Sequence, residues 1–176
     1  MSYAGARRII DVDSHLFELD DFLYSVATDE EADFIQPMQA QTELPVSLEA
    51  IERGREHLNR RNTDPEVMTK FEEGMFDIKR SPWSRLGAFD PAERSHALDV
   101  LGFERQIVLG TFSFHQIAHE DDAKALEIGA RVYNRAMGRF CDHDERLLAG
   151  GYVPFSLGPD VACALLDQAF ADGCYT

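Results

Sequence analysis

The chain has 176 residues, of which 44% are hydrophobic and 28% are charged, and this balance is typical of a folded globular protein. Its 32 acidic and 17 basic residues give a net charge of −15, which would repel a phosphate backbone, so we expect no nucleic-acid partner. No apolar run approaches the roughly 20 residues of a membrane-spanning helix, so we expect no membrane partner either.

The N-terminal sequence and the cysteines predict a compartment. MSYAGARRIID reaches an aspartate before any apolar stretch, so it lacks the pattern of a signal peptide. The three cysteines are odd in number and have no CxxC spacing, which favours reduced thiols. None of them has a neighbouring base that would mark a nucleophile. We therefore predict a cytoplasmic protein.

The first predicted strand is the β-branched run RIIDV at residues 8–12. Residues 20 to about 82 are acidic, helical in period and interrupted by prolines, which predicts an irregular helical insertion. Helices are predicted within it at DDFLYSVA, SLEAIERGREHLNRR and DPEVMTKFEEGMF. The last of these has Asp64 as its N-cap and Pro65 at the first helical position.

From Asp90 onward, predicted helices and strands alternate regularly. DPAE at residues 90–93 predicts a capping box that opens a helix ending at Gly102. QIVLGTF, which comes next, is almost wholly apolar and predicts a strand buried on both faces. A helix over about 121–140, the strand LLAGGYVPF, a helix from Pro159 to Gly173 and a new strand from Cys174 complete the series. The residues predicted to be buried on these last two helices are Leu126, Ala130, Tyr133, Met137 and Phe140, and Val161, Leu165, Leu166 and Phe170.

This alternation predicts an α/β fold built from parallel βαβ units. Two architectures fit the pattern, a doubly wound open sheet and a (β/α) barrel. No strand is followed by GxGxxG or by a Walker A sequence, so neither nucleotide-binding fingerprint supports the open sheet.

The residues with the clearest chemistry lie at the end of the first strand. Asp11, Asp13 and His15 alternate along it, so their side chains are expected on one face. Two carboxylates and an imidazole, each about 7 Å from the next by the strand rise, favour a divalent metal, for which these groups are common ligands. The alternative is a strand-end aspartate that caps a loop beside an incidental histidine.

RIIDVDSHLFE resembles the opening of the amidohydrolase-related metal enzymes, the family that includes aminocarboxymuconate-semialdehyde decarboxylase and the resorcylate decarboxylases. The resemblance continues, in the expected order, through WSRLGAFDPAERSHALDVLGFERQIVLGTFSFH, YNRAMGRF, ERLLAGGYVPF and GPDVACALLDQAFADG. It covers nearly the whole chain and is weakest in the insertion.

The resemblance implies a fold and a ligand set. The fold is the N-terminal part of a (β/α)8 TIM-type barrel, with residues 1–176 forming a single, incomplete domain. Asp13 and His15 occupy the family's two first-strand ligand positions, with a carboxylate where many members have histidine, and the ion would be Zn²⁺ or Mn²⁺. Asp11 would support these ligands, and Glu18 belongs to the family's SHxxE run. The catalytic residues and the other ligands are expected beyond Thr176.

The implied function is a metal-dependent hydrolase acting on a small organic substrate. A metal-dependent non-oxidative decarboxylase shares the same first-strand ligands and is the first alternative. His115, after the second strand, is a candidate substrate contact, and Trp83, Phe112 and Phe114 would line a pocket or belong to the core. We also expect a homo-oligomer. The remaining alternatives are a catalytically inert, self-associating fragment and a small α/β binding module.

Overall fold

A computed structural model describes residues 2–37, 48–77 and 79–175. Within these ranges the fold is α/β, with a small parallel sheet and helices between and after its strands. The elements are, in chain order, β1 (Ile10–His15), α1 (Asp29–Ala32), α2 (Leu48–Thr63), α3 (Pro65–Glu73), α4 (Pro91–Leu101), β2 (Arg105–Leu109), α5 (Phe112–Ala118), α6 (Ala123–Cys141), β3 (Leu147–Ala149) and α7 (Pro159–Ala171). No helix of the described ranges is long and apolar enough to cross a membrane.

The three strands are parallel and lie side by side in the order of the sequence, β1, β2, β3. A fourth segment begins beside β3, because Cys174 forms a parallel bridge with Ala149 and Tyr175 donates its backbone N–H to Ala149 O at 2.9 Å. This confirms the α/β class with parallel strands, and at the strand predicted to start at Cys174 the described residues form a single β-bridge. Each crossover between successive strands contains helix, as parallel pairing requires.

The two faces of the sheet differ in how they are covered. Gln106, Val108, Leu147 and Ala149 are buried against helices, and Val108, Leu147 and Ala149 belong to the main hydrophobic core. On the opposite face Ile107, Leu109 and Leu148 are only partly buried, and Ile10 and Val12 of β1 are exposed at 52% and 63%. The prediction that QIVLGTF is buried on both faces is therefore wrong, since helices cover a single face of this sheet.

Helix α6 provides the main support beneath the sheet. It packs on β2 and β3 and also contacts α5 and α7. Its predicted stripe is confirmed, because all five of its members are buried: Leu126, Ala130, Tyr133, Met137 and Phe140.

On α7 the predicted stripe is only partly correct. Leu165 is buried, but Leu166 and Phe170 are 41% and 53% exposed, and Ala162 and Ala169 take the inner positions instead. Val161 is partly buried against the main core, so two of the four predicted side chains, Val161 and Leu165, pack inward.

Three predicted element boundaries need correction. DDFLYSVA forms a series of turns, because its backbone closes short-range bonds such as Phe22 N to Leu19 O rather than a regular helix. The second strand ends at Leu109, and TFSFH, predicted partly as strand, enters helix α5. LLAGGYVPF pairs only over its first three residues. Helices α2, α3, α4, α6 and α7 lie where the sequence predicts them.

The capping signals of α3 and α4 are mostly confirmed. Asp64 accepts hydrogen bonds from the backbone N–H of Glu66 and Val67, and Asp90 accepts one from Glu93 N–H. Gly102 ends α4 in the left-handed conformation, with a φ of 71°. In a complete capping box the Glu93 carboxylate would accept the backbone N–H of Asp90. Here that carboxylate binds Arg61 and the backbone N–H of Gly87 instead.

The ion pair between Arg61 and Glu93 joins the insertion to the βα framework. Both side chains are buried, with 0% and 3% exposure, and Arg61 Nη2 donates to Glu93 Oε2 at 2.8 Å. Glu93 Oε2 also accepts the backbone N–H of Gly87 at 2.7 Å, and Arg61 lies over the ring of Phe71 at 4.4 Å. Helix α2 is therefore held to α4 by a dry, bidentate charge pair.

We predict that Glu93→Gln destabilises the fold by about 3–5 kcal/mol, because it leaves the buried Arg61 guanidinium without a counter-charge. Urea unfolding followed by circular dichroism measures this change. Glu104→Gln is the matched control, since Glu104 pairs with Arg8 at the surface, where the two side chains are 37% and 84% exposed. Equal, small effects of both substitutions would contradict the structural role of the buried pair.

Candidate metal centre

Asp13 and His15 come together at the carboxyl end of β1, as the sequence predicts. His15 Nε2 lies 3.3 Å from Asp13 Oδ1. Both side chains are open to solvent, with exposures of 44% for His15 and 81% for Asp13. The pair therefore presents an imidazole nitrogen and a carboxylate oxygen at one accessible position on the edge of the sheet.

Asp11 does not join this pair, which corrects the expectation that the three side chains share a face. Asp11 pairs with Gln106 and Ser14 with Val108, so two residues of β1, Val12 and Asp13, face one of β2. This β-bulge reverses the alternation of side chains along the strand. Asp11 consequently lies on the helix-covered side, where its Oδ2 accepts a hydrogen bond from Gln106 Nε2 at 3.2 Å.

The other ring nitrogen of His15 contacts Thr111, the residue that precedes α5. His15 Nδ1 lies 3.0 Å from Thr111 Oγ1, and the same hydroxyl donates to the backbone oxygen of Leu16 at 2.7 Å. Thr111 thus links the end of β1 to the loop after β2 and fixes the orientation of the imidazole ring.

The buried Glu18 side chain connects the end of β1 to the start of α5. Its side chain is fully buried, and its carboxylate accepts backbone N–H groups from Thr111 at 2.9 Å, Phe112 at 3.1 Å and Ser113 at 3.2 Å, together with the Ser113 hydroxyl. Burial raises the pKa of the Glu18 carboxyl, and the hydrogen bonds that it accepts oppose the rise. The role of the SHxxE glutamate is therefore to hold the start of α5 against β1.

Arg94, on α4, holds the end of β1 by hydrogen bonds to Ser14 and to the backbone of His15. It is buried and donates from Nη1 to Ser14 Oγ at 2.7 Å and from Nη2 to His15 O at 2.9 Å. Burial lowers its pKa to about 10. Sequence reasoning missed this residue, and the available signal was weak: an arginine on the apolar side of a helix, beside Ala97 and Leu98.

The other residues that the sequence singles out lie in different parts of the structure. His115 lies on α5 and stacks on His119, with ring centroids 4.1 Å apart. Trp83 and Phe112 are buried and stacked at 5.1 Å in a second, smaller core that also includes Ile51. Phe114 is 41% exposed and meets the ring of Tyr152 edge-on at 5.2 Å. Two of the three aromatic candidates are therefore core residues.

The described residues bring together two metal-ligand groups at this position. Over residues 2–37, 48–77 and 79–175, no cluster of three or more His, Cys, Asp or Glu side chains could hold a metal ion. Cys141 and Cys174 are buried free thiols, and burial raises the pKa of Cys174 to about 11.

The chain matches no protein-family model, and no curated protein is significantly similar to it. Interpretation of the site therefore depends on the geometry of its own residues.

The pH dependence of stability tests the position of Glu18. Because its folded-state pKa is raised, Glu18 contributes stability that is present below its unfolded-state pKa and is lost as the pH rises through the folded-state pKa. We predict that the unfolding free energy of the wild type falls relative to that of Glu18→Gln over this rise in pH. Urea unfolding at a series of pH values measures the difference, and a difference that grows in favour of the wild type would contradict the account.

Proposed function

We propose that the chain carries the first-strand metal ligands of a metal-dependent hydrolase of the amidohydrolase-related kind, acting on a small organic substrate. The observation that carries this proposal is the pair of donor atoms, Asp13 Oδ1 and His15 Nε2, 3.3 Å apart at the exposed carboxyl end of β1. A non-oxidative decarboxylase would use the same pair, so carboxylated compounds belong in the same substrate screen.

The geometry of the pair fits a divalent ion. Two ligands at about 2.0–2.2 Å from a tetrahedral ion are separated from each other by about 3.3–3.6 Å. The separation of Asp13 Oδ1 and His15 Nε2 falls at the lower end of this interval. A mixed nitrogen and oxygen set suits Zn²⁺ or Mn²⁺, and the solvent exposure of both side chains leaves room for further ligands and for substrate.

The order of the strands supports a barrel over a doubly wound sheet. In the dinucleotide-binding version of the doubly wound sheet the fourth strand returns to the side of the first. Here the fourth segment begins beside β3, through the bridge between Cys174 and Ala149, so the strands follow one another in a single direction. The uncovered apolar face of β1, β2 and β3 would then be the inside of the barrel, and Asp13 and His15 would lie at its mouth.

Each residue around the pair has a defined part in this proposal. Asp13 and His15 would bind the ion, while Arg94 holds the backbone of His15 and Glu18 holds the start of α5, where Thr111 contacts the His15 ring. The bound ion would supply Lewis acidity to the substrate. A catalytic zinc site uses about three protein ligands, so the proposal requires at least one more group, from outside the described residues or from a second copy of the chain.

Metal binding by the purified protein tests the proposal. We expect about one Zn²⁺ or Mn²⁺ per chain by plasma mass spectrometry, with a dissociation constant from calorimetry. His15→Ala and Asp13→Asn should each weaken metal binding by at least about tenfold. Removing a group that only orients a metal ligand already lowers metal affinity about ten- to hundredfold. Both side chains are solvent-exposed, so the variants should keep the wild-type circular dichroism spectrum.

His143→Ala is the matched control, because His143 is an exposed histidine that precedes β3, at the opposite edge of the sheet. It should bind metal as the wild type does. Light scattering on the same samples reports whether the metal-loaded protein is an oligomer. Absence of metal from the wild type, or equal loss in His143→Ala and His15→Ala, would overturn the proposed function.

A further inference from the structure

The hydroxyl of Thr111 lies within hydrogen-bond distance of two groups, and its single proton can be donated to only one of them. Leu16 O is 2.7 Å away and is a carbonyl oxygen, which accepts but never donates. His15 Nδ1 is 3.0 Å away and can either donate or accept, according to the tautomer. Because a hydroxyl has a single proton and Leu16 O takes it, the contact with His15 requires a proton on Nδ1.

This proton count leaves Nε2 of the neutral ring without a hydrogen. Nε2 is the nitrogen that faces Asp13 Oδ1 at 3.3 Å. In the Nδ1–H tautomer two acceptor atoms therefore face each other with no proton between them. Either a proton on Nε2 or a metal cation between the two atoms would remove this repulsion, and an unprotonated imidazole nitrogen is the form that binds metals.

Thr111 is held firmly enough to impose this choice. Its backbone N–H donates to Glu18 Oε1 at 2.9 Å. The preceding residue, Gly110, donates its own N–H to Tyr133 Oη at 3.1 Å and is closely surrounded. A Cβ atom on Gly110 would lie 2.7 Å from the Tyr133 ring and 2.9 Å from Glu18 Oε1, so only glycine fits there.

We propose that Thr111 is a positioning residue of the metal centre, whose hydroxyl holds His15 as the Nδ1–H tautomer and so presents Nε2 to the ion. This inference rests on the proposed function, because it assigns a role toward the same metal. Its direct consequence, the tautomer of His15, is a property of the metal-free protein and is measured without any substrate.

Nitrogen-15 NMR of the histidine side chains, recorded about two pH units above the ordinary histidine pKa of about 6.5, determines the tautomer. In the metal-free wild type, His15 Nδ1 should have the chemical shift of a protonated nitrogen and Nε2 that of an unprotonated one. Thr111→Ser keeps the hydroxyl and should keep this pattern. Thr111→Val removes it, and His15 should shift toward the Nε2–H tautomer, which can donate to Asp13.

Thr69→Val is the matched control, because Thr69 also donates to a backbone oxygen, Pro65 O at 3.0 Å, but on the exposed helix α3. Its His15 signals should be those of the wild type. Finding the Nε2–H tautomer in the wild type would overturn the inference whether or not any variant folds. An unchanged tautomer in Thr111→Val would overturn it as well.

Zinc affinity provides the second readout. Thr111→Val should bind Zn²⁺ about 10- to 100-fold more weakly than the wild type, and Thr111→Ser should recover most of the loss. If the tautomer is as expected but the wild type binds no metal, the proposed function fails while the role of Thr111 in orienting His15 stands. If metal binds through His15 but the tautomer is Nε2–H, the role of Thr111 fails and the proposed function stands.

Discussion

The buried carboxylate of Glu18 is the interaction on which the geometry of the site depends. It accepts three consecutive backbone N–H groups, from Thr111, Phe112 and Ser113, and so fixes the start of α5 against the chain that leaves β1. The backbone oxygen of Glu18 also accepts the indole N–H of Trp83 at 3.0 Å, which attaches the second small core to the same point. A backbone N–H group that is buried without an acceptor costs free energy. The Glu18 carboxylate supplies the acceptor for the first N–H groups of α5, which have no partner within the helix.

The sequence predicts the framework well and the details around the site less well. The capping residues Asp64 and Asp90 and the stripe on α6 depend on near neighbours in the chain, and all of them are confirmed. The β-bulge that moves Asp11 to the other face depends on pairing with β2, more than 90 residues away, and strict alternation could not reveal it. Arg94 was missed for the same reason, because its partners Ser14 and His15 lie 79–80 residues from it in sequence.

The exposed apolar side chains agree with the proposed architecture. Ile10 and Val12 on the open face of the sheet, and Leu166 and Phe170 on the outer side of α7, all lie in contact with solvent. In a closed barrel, side chains at such strand positions fill the interior and those on the outer helices pack against the next helix along. The proposed barrel would account for the exposure of residues that sequence patterns predict as buried.

The two side chains of the site are held in place to different extents. Thr111 contacts the ring of His15 and Arg94 bonds to its backbone, while Asp13 lies in the bulge and is the more exposed of the two side chains. We therefore expect the His15 ring to be oriented before a cation binds and the Asp13 side chain to move when it does.

The most direct test of the central claim is an anomalous-difference map from crystals grown with Zn²⁺, recorded at the zinc absorption edge. The account predicts a peak between Asp13 and His15, about 2.0–2.2 Å from Asp13 Oδ1 and from His15 Nε2. A peak elsewhere, such as at the exposed Cys163 thiol or at His143, or no peak at this position, would contradict it.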